Sequence, residues 1–580
     1  MPNAIRRYSR LKICVTPSCR PYRSLLSGAT VFALFVLVPS LAARAALVTG
    51  EVVDGSTSRL VPSRIYIQSQ AGKWFWPESA SSQGSAVRYE KRNWINPNAV
   101  EMHTTLSAHP FRVELEPGVY TFTVERGKEY RPLVQRVEAG REPLKLILPL
   151  RRWINLAARG WFSGDTHVHR TLAELPNVML AEDLNVAFPL TYWVTKGFAP
   201  PTQGDKNTDR QAGADLIRVD ATHVIYPRNT EYEIFSINGK SHTLGAVFAL
   251  NHQTPFTLGA PPVAPIAGQA KREGALLDLD KHDWPWSMAL VPVMGVDLYE
   301  LANNHLWRTE FGFTNWSTRA PPYMGLPNNG QSGGEIDWIQ YTFHNYYTLL
   351  NCGFRLRPTA GTASGVHPVP LGFGRVYVHL PGGFSYDAWI RRFNEGRSFV
   401  TTGPMLLAKI DGQLPGFRFT GKPDKARRVR VEGTVVSEQP PSAVEIMLNG
   451  RVAYRFDCSQ PGQRASENLS SKGSVLVPRQ NHDGAFETSF RRTVELTSSG
   501  WVAVRCWEPR EGGRVRFAHT APSFFDVPGE PQRPSKDEVA FLIRRVQEQI
   551  ERSTGTLPPE AIAEYRKALT VYENIARNAK

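Results

Sequence analysis

Asp165-Thr-His-Val-His169 is the segment of this sequence whose residue types and spacing come closest to chemistry. It comes after an apolar lead-in, Trp161-Phe162, and reads as the end of a strand. Residues i and i+2 of a strand share a face, about 7 Å apart. His167 and His169 can therefore bind one ion or bridge an adjacent pair, while Val168 points into the core. Asp165 shares that face and suits either a ligand or a carboxylate that orients an imidazole. A lone His-x-His is a weak motif, more often surface or core than ligand. Spaced acids and histidines later in the chain strengthen the metal reading. Glu231, in Thr230-Glu-Tyr-Glu233, supplies the carboxylate a two-metal site usually needs. His242 precedes an apolar strand-like run and His252 ends it. Beyond them stand Lys281-His-Asp-Trp-Pro-Trp286, Asp297-Leu-Tyr-Glu-Leu-Ala-Asn-Asn-His305 and Thr359-Ala-Gly-Thr-Ala-Ser-Gly-Val-His367. Imidazole mixed with carboxylate suits Zn, Mn or Fe and disfavours copper.

These residues fall in a stretch, 155–405, where short apolar runs alternate with longer amphipathic or loop segments. Leu244-Gly-Ala-Val-Phe-Ala-Leu250 and Val291-Pro-Val-Met-Gly-Val-Asp297 are read as strands of this kind. The alternation predicts α/β architecture with strands delivering residues to one end of a barrel. Residues 46–154 alternate apolar and polar with period two, as in Tyr120-Thr-Phe-Thr-Val124, and predict a β-sandwich. Residues 406–530 return to that pattern and predict a second sandwich. In 531–580, Ser535 ahead of Asp537-Glu538 and then Pro558-Pro559 mark the starts of two helices.

At 580 residues the chain is too long for one core, so several domains are expected. Hydrophobic residues make up 41% and charged residues 21%, which excludes a disordered chain or a coiled coil. With a mean hydropathy of −0.32 and one long apolar run, a polytopic membrane protein is excluded. That run reads as a secretory leader over 1–45. Arg6, Arg7, Arg10, Lys12, Arg20 and Arg23 precede the apolar stretch 29–38, and Ala43-Arg-Ala45 offers a cleavage site. An uncleaved anchor is the alternative, and export is expected either way. Seven basic and no acidic residues precede Ala46, so the formal +15 falls to about +8 beyond it. No dense Lys/Arg block remains, and no nucleic-acid partner is expected. An oxidising compartment permits a bridge between Cys458 and Cys506, but spacing does not decide it. Cys352 reads as a small buried apolar residue.

Gly160-Trp-Phe-Ser-Gly-Asp-Thr-His-Val-His-Arg170 resembles the first motif of the PHP (polymerase and histidinol phosphatase) metallohydrolases. More narrowly it is similar to their exported, carbaryl-hydrolase-like branch. Gly396-Arg-Ser-Phe-Val-Thr-Thr-Gly-Pro404 resembles the segment closing that domain, and Phe517-Ala-His-Thr-Ala-Pro522 a phrase of its C-terminal β domain. Leu115-Glu-Pro-Gly-Val-Tyr120 resembles the edge of carboxypeptidase-regulatory-like domains. The resemblance implies a distorted (β/α)7 barrel, flanked by the two sandwiches and trailed by a helical tail, with metal ions that activate water. It implies metal ligands at His167, His169, Glu231, His242, His282 and His367. Two departures matter. The family's Asp-His after the second strand would fall near Thr191-Tyr-Trp193, and the Asp of its final motif is replaced by Gly365. One or two divalent ions remain implied.

With Asp165 on the same face, Glu300 or His305 would move protons at the mouth and Arg170 would hold an anionic group. Equally, Glu300 and Asn303 would simply tie a strand end. Trp193, Trp284, Trp286, Trp307, Trp316 and Trp338 would line a substrate pocket or anchor packing. The expected function is hydrolysis of an ester, amide or phosphoester in a small molecule or glycan. The alternative is a catalytically degenerate domain that binds carbohydrate or a cell-surface partner.

Overall fold

The computed structural model describes residues 45–580, apart from 95, 204–211, 281–282, 312–318, 328–333, 423–425 and 460–473. The leader expectation therefore lies outside the described residues, and so do His282 and Trp316. No helix among the described residues is long and apolar enough to cross a membrane.

In 46–150, two sheets share one core. Ala46–Asp54 lies between Leu144–Leu150 and Phe111–Leu115 in a four-stranded sheet. The second sheet orders Ala86–Arg92, Val100–Leu106, Ser63–Ser69, Gly118–Glu125 and Leu133–Ala139. Their alternating inward residues, Val48, Ile65, Ile67, Phe111, Phe122 and Val124, are fully buried against each other. Period-two alternation produces this because successive side chains leave a strand on opposite faces.

Two larger sheets hold the histidine-rich stretch. The first has seven strands, ordered Thr202–Gln203, Tyr192–Lys196, Thr230–Ile237, Lys240–Leu250, Leu276–Asp280, Leu298–Ala302 and Arg357–Ala360. The second carries Trp161–Val168 between Val186–Pro189, which is parallel to it, and Arg375–His379, which is antiparallel. All eight residues of Trp161–Val168 are buried. Among the described residues, no ladder joins these two sheets into a closed ring of strands. The second sheet instead continues past residue 405. Ser398–Thr401 pairs with Val515–Thr520, which pairs with Gly500–Pro509, so strands on both sides of that boundary form one sheet.

The run 291–297 is not a strand. Val291–Gly295 continues the helix Pro285–Leu290, and the strand begins at Leu298. A short apolar run reads the same in a buried helix as in a strand, and only its neighbours decide. The last two helices, Lys536–Ser553 and Pro559–Ala576, seat on the central region. Tyr572 donates to the carbonyl of Met288 at 2.7 Å, and both carboxylate oxygens of Glu564 accept from the backbone N–H groups of Val263 and Ala264 at 2.8 Å. Those two N–H groups open the helix Ala264–Glu273, so the tail satisfies donors that a helix start leaves unpaired. Cys352, Cys458 and Cys506 are all free and buried. Cys458 and Cys506 sit on strands that flank Ala443–Leu448 from opposite sides, about two strand spacings or 10 Å apart, beyond the reach of a disulfide.

Candidate metal centre

The site lies between the two central sheets. Near the end of Trp161–Val168 the pairing register slips between Asp165 and Val168, and the chain leaves the strand with His169. His169 is then held by its backbone N–H, which donates to the carbonyl of Ser364 at 2.8 Å. Asp165 accepts from the backbone of His167 at 3.1 Å, Thr362 at 3.3 Å and Gly372 at 2.9 Å, and from the Thr362 hydroxyl at 2.6 Å. Its carboxyl thus ties the histidine turn to the loop 361–373, a positioning task. Burial holds its pKa up at about 6 despite these hydrogen bonds.

Opposite stands one lateral row of the seven-stranded sheet. Trp193 registers with Glu231, Glu231 with Phe248 and Phe248 with Asp278. Register partners share a face. This row meets the histidines: the His167 ring packs edge-on to Phe248 at 4.6 Å, and the Trp193 ring lies 6.5 Å from His169.

The imidazoles present nitrogen to nitrogen and to acid. His167 Nε2 and His169 Nε2 are 3.2 Å apart, and His169 Nε2 is 3.4 Å from Glu231 Oε2. His167 Nδ1 is 3.1 Å from Glu300 Oε2. Two sets of potential donor atoms fall within 4.8 Å of one another, His167 with His169 and Glu231, and His167 with Asp280 and Glu300. All five side chains are at most 1% exposed.

This donor set fits a divalent ion. Two imidazoles and a carboxylate are the composition of open, catalytic-type sites that leave a coordination position for water or substrate. Glu300 on the far nitrogen of His167 has the relation that fixes tautomer and ring direction in metal-bound histidines. Glu300 Oε1 is in turn fixed by the backbone N–H of Asn304 at 3.1 Å. Asp278 binds the Thr359 hydroxyl through both oxygens, at 3.0 and 2.9 Å. Burial first, and then the charge of Asp280, raise its pKa to about 7 against the hydrogen bond from Thr359.

Glycine at two places lets the loop approach. A Cβ on Gly361 would stand 2.3 Å from His167 Cβ and 2.7 Å from the Glu300 carboxyl carbon. Gly365 has φ +110°, and a Cβ there would stand 2.1 Å from the carbonyl oxygen of His169. Any side chain at 365 would displace the histidine turn, which gives the glycine there a steric reason.

Of the expected ligands, the structure brings together His167, His169 and Glu231. His242 is elsewhere: Ser241 registers with Ser236, at the opposite end of its hairpin from Glu231 and Phe248. Burial and then Arg552 of the tail hold its imidazole below the usual range. His367 stacks on Trp94 and Trp307, with ring centroids 5.2 and 5.9 Å away, and belongs to neither donor set. His305 packs edge-on to Trp338 at 5.1 Å and also belongs to neither. Arg170 is buried with its guanidinium 3.6 Å from the centre of the Tyr89 ring, and its Nε donates to Ser364 Oγ at 3.1 Å. Asp280 was not expected. Its signal was available in Leu276-Leu-Asp-Leu-Asp280, where two acids at i and i+2 interrupt an apolar strand on one face.

Site and sheets together describe a buried imidazole–carboxylate centre carried between two β-sheets. Comparison of the chain with protein-family models, curated proteins and solved structures finds no match.

Proposed function

We propose that this chain is an exported, metal-dependent hydrolase of the PHP type, acting on an ester, amide or phosphoester. The observation that carries the reading is the convergence of His167, His169 and Glu231 within 4.8 Å in a fully buried setting. Export rests on the basic-then-apolar leader with its small-residue cleavage site.

A bound Zn, Mn or Fe ion would supply a water of lowered pKa and polarise the oxygen of the bond to be cleaved. The chain's own residues set the conditions for that chemistry. Glu300 accepts the Nδ1 proton of His167 and so directs Nε2 toward His169. Asp165 fixes the backbone of both the histidine turn and the facing loop. Phe248 and Trp193 wall the donors and keep bulk water out, which strengthens every charge interaction inside. Arg170, whose Nη2 has no hydrogen-bond acceptor among the described residues, supplies positive charge beside the loop for an anionic group. The barrel expectation belongs to the same proposal. It is supported by the two facing sheets and by the parallel strands Leu276–Asp280 and Leu298–Ala302, which carry Asp280 and Glu300.

A second reading, a degenerate domain that binds carbohydrate, is favoured by one observation. Both His242 and His367 stand outside the donor sets, and Trp94, 65% exposed, offers a ring face on His367.

Elemental analysis of protein beginning at residue 46, purified without chelator, separates the two. Near-stoichiometric Zn, Mn or Fe, with turnover of at least one ester, amide or phosphoester, supports the hydrolase. Folded protein that takes up no metal even when supplied overturns it.

A further inference from the structure

A cavity of about 730 Å³ is bounded by residues of the N-terminal sheets, the loop 370–375 and the strands Gly500–Pro509 and Val515–Thr520. Seven cationic side chains line it against four acidic ones, so the disposition of each cation decides what the cavity wants. Most have acids. Arg64 pairs with Glu125 and Glu182, Arg308 with Glu101 at 3.0 Å, Arg514 with both oxygens of Glu335 at 2.8 Å, and Arg510 with Glu438 at 3.0 Å. Arg516 has one ion pair, the more distant second contact to that same Glu335 at 3.6 Å, and donates to the carbonyls of Val515 and Arg308 at 3.0 and 3.1 Å. Arg375 spends its donors on the carbonyls of Gly372, Glu182 and Asp183.

Lys128 is the exception that matters. Its ammonium donates to one carbonyl, Thr402, at 2.8 Å, and makes no ion pair among the described residues. It sits 3.9 Å from the centre of the Phe373 ring, and the Arg516 guanidinium lies 4.9 Å from the same ring. The charges acting on it most are arginines, first Arg516, then Arg375, Arg510 and Arg64. With burial as the larger cause, they push its pKa well below the usual lysine range. A half-buried cation held among cations costs free energy unless an anion neutralises it. Guanidinium forks and an ammonium around an open volume are how proteins recognise phosphate and carboxylate groups. Phe373 and Trp153 add apolar surface on which the body of such a molecule can rest.

We propose that this cavity binds a small multivalent oxyanion, phosphorylated or polycarboxylated, with Lys128 as its central contact and Arg516 beside it. None of the cavity's lining residues belongs to the two donor sets, so the proposal does not rest on the hydrolase reading.

The test uses the protein from residue 46 with pyrophosphate and citrate as probes, against sodium chloride at matched ionic strength. Melting temperature and tryptophan fluorescence, which Trp153 reports from the cavity wall, are monitored. Wild type should show a saturable response to at least one probe, and that probe tells a phosphate site from a carboxylate site. Lys128→Met should weaken the response at least tenfold, Lys128→Arg should keep it within about threefold. Without anion, Lys128→Met should melt no lower than wild type, the opposite of what a purely structural lysine would do. Should Lys128→Met fail to fold, Lys128→Gln, which can still donate to Thr402, takes its place. Both probes also chelate metals, but chelation acts alike on wild type and variant and cannot produce a difference between them. No saturable response in wild type, or an equal response in the neutral variants, overturns the proposal.

Discussion

Two settings for buried histidine stand side by side in this molecule. His519, on the strand Val515–Thr520, is fully buried with a neutral partner at each nitrogen: Nδ1 donates to the Thr520 carbonyl at 2.7 Å, and Nε2 accepts from the Tyr347 hydroxyl at 2.8 Å. His167 and His169 are equally buried, but their nitrogens face each other and three carboxylates lie close by. The first arrangement is complete without an ion. The second turns two ring nitrogens toward each other with carboxylates close by, a set of donor atoms that a divalent cation would gather. Burial and residue type are the same in the two places; the partners separate structure from chemistry.

The strongest way to break this contrast is to remove the two site histidines. His167→Ala with His169→Ala should take bound metal from near one equivalent to essentially none while the far-ultraviolet circular dichroism stays native. Unchanged stoichiometry would refute the centre. A smaller effect is expected at Glu300→Gln, which keeps the size and the Asn304 contact but weakens the hold on His167 Nδ1. Metal affinity should drop about 10- to 100-fold with full occupancy recovered at high metal. Affinity indistinguishable from wild type would reduce Glu300 to a strand-end tie.

The opposite setting is tested by stability. His519→Gln leaves Tyr347 and Thr520 poorly matched and should cost about 2 kcal/mol at pH 7.5 with metal content untouched. Burial lowers the His519 pKa to about 3. Its folded value therefore lies below its unfolded value of about 6.5. The stability it contributes is complete above pH 6.5 and shrinks as pH falls, by about 1.4 kcal/mol per unit. The gap between wild type and His519→Gln should accordingly narrow from pH 7.5 to pH 5.5 in urea unfolding. A gap that widens would mean that His519 is charged in the fold.

What the sequence made legible was local. The capping box of Ser535 with Glu538 is visible because its partners are three residues apart. The pairing of His167 with His169 is visible because they stand two residues apart at a strand end. What stayed hidden depends on which strands meet. Glu231 is legible as a carboxylate ligand, but that it meets His169 follows from Trp193, Glu231, Phe248 and Asp278 falling in one row, a product of four strands. Asp280 and Glu300 join His167 across the gap between sheets. The helical turn at 291–295 depends on continuation from Pro285–Leu290. Gly365 looked like a lost ligand, and becomes intelligible only when its Cβ is seen to collide with the His169 carbonyl.

The smallest expected effect sharpens the contrast most, because it falls on a histidine that the family resemblance made a ligand. His242 and Phe248 share one strand, Lys240–Leu250, and Phe248 is the residue that touches His167. Six residues of strand separate them, about 20 Å of rise. No rotamer spans that distance, so His242 can reach the donors only if its hairpin slips, and a one-residue slip would already turn Glu231 away from the histidines. Instead His242 lies half-buried under the influence of Arg552 in the tail helix. His242→Ala should therefore leave metal affinity within about twofold of wild type, read by competition with a chromophoric chelator. A tenfold loss would mean that the hairpin of Thr230–Ile237 with Lys240–Leu250 pairs in another register when metal is bound, and Glu231 would then lose its place in the centre as well.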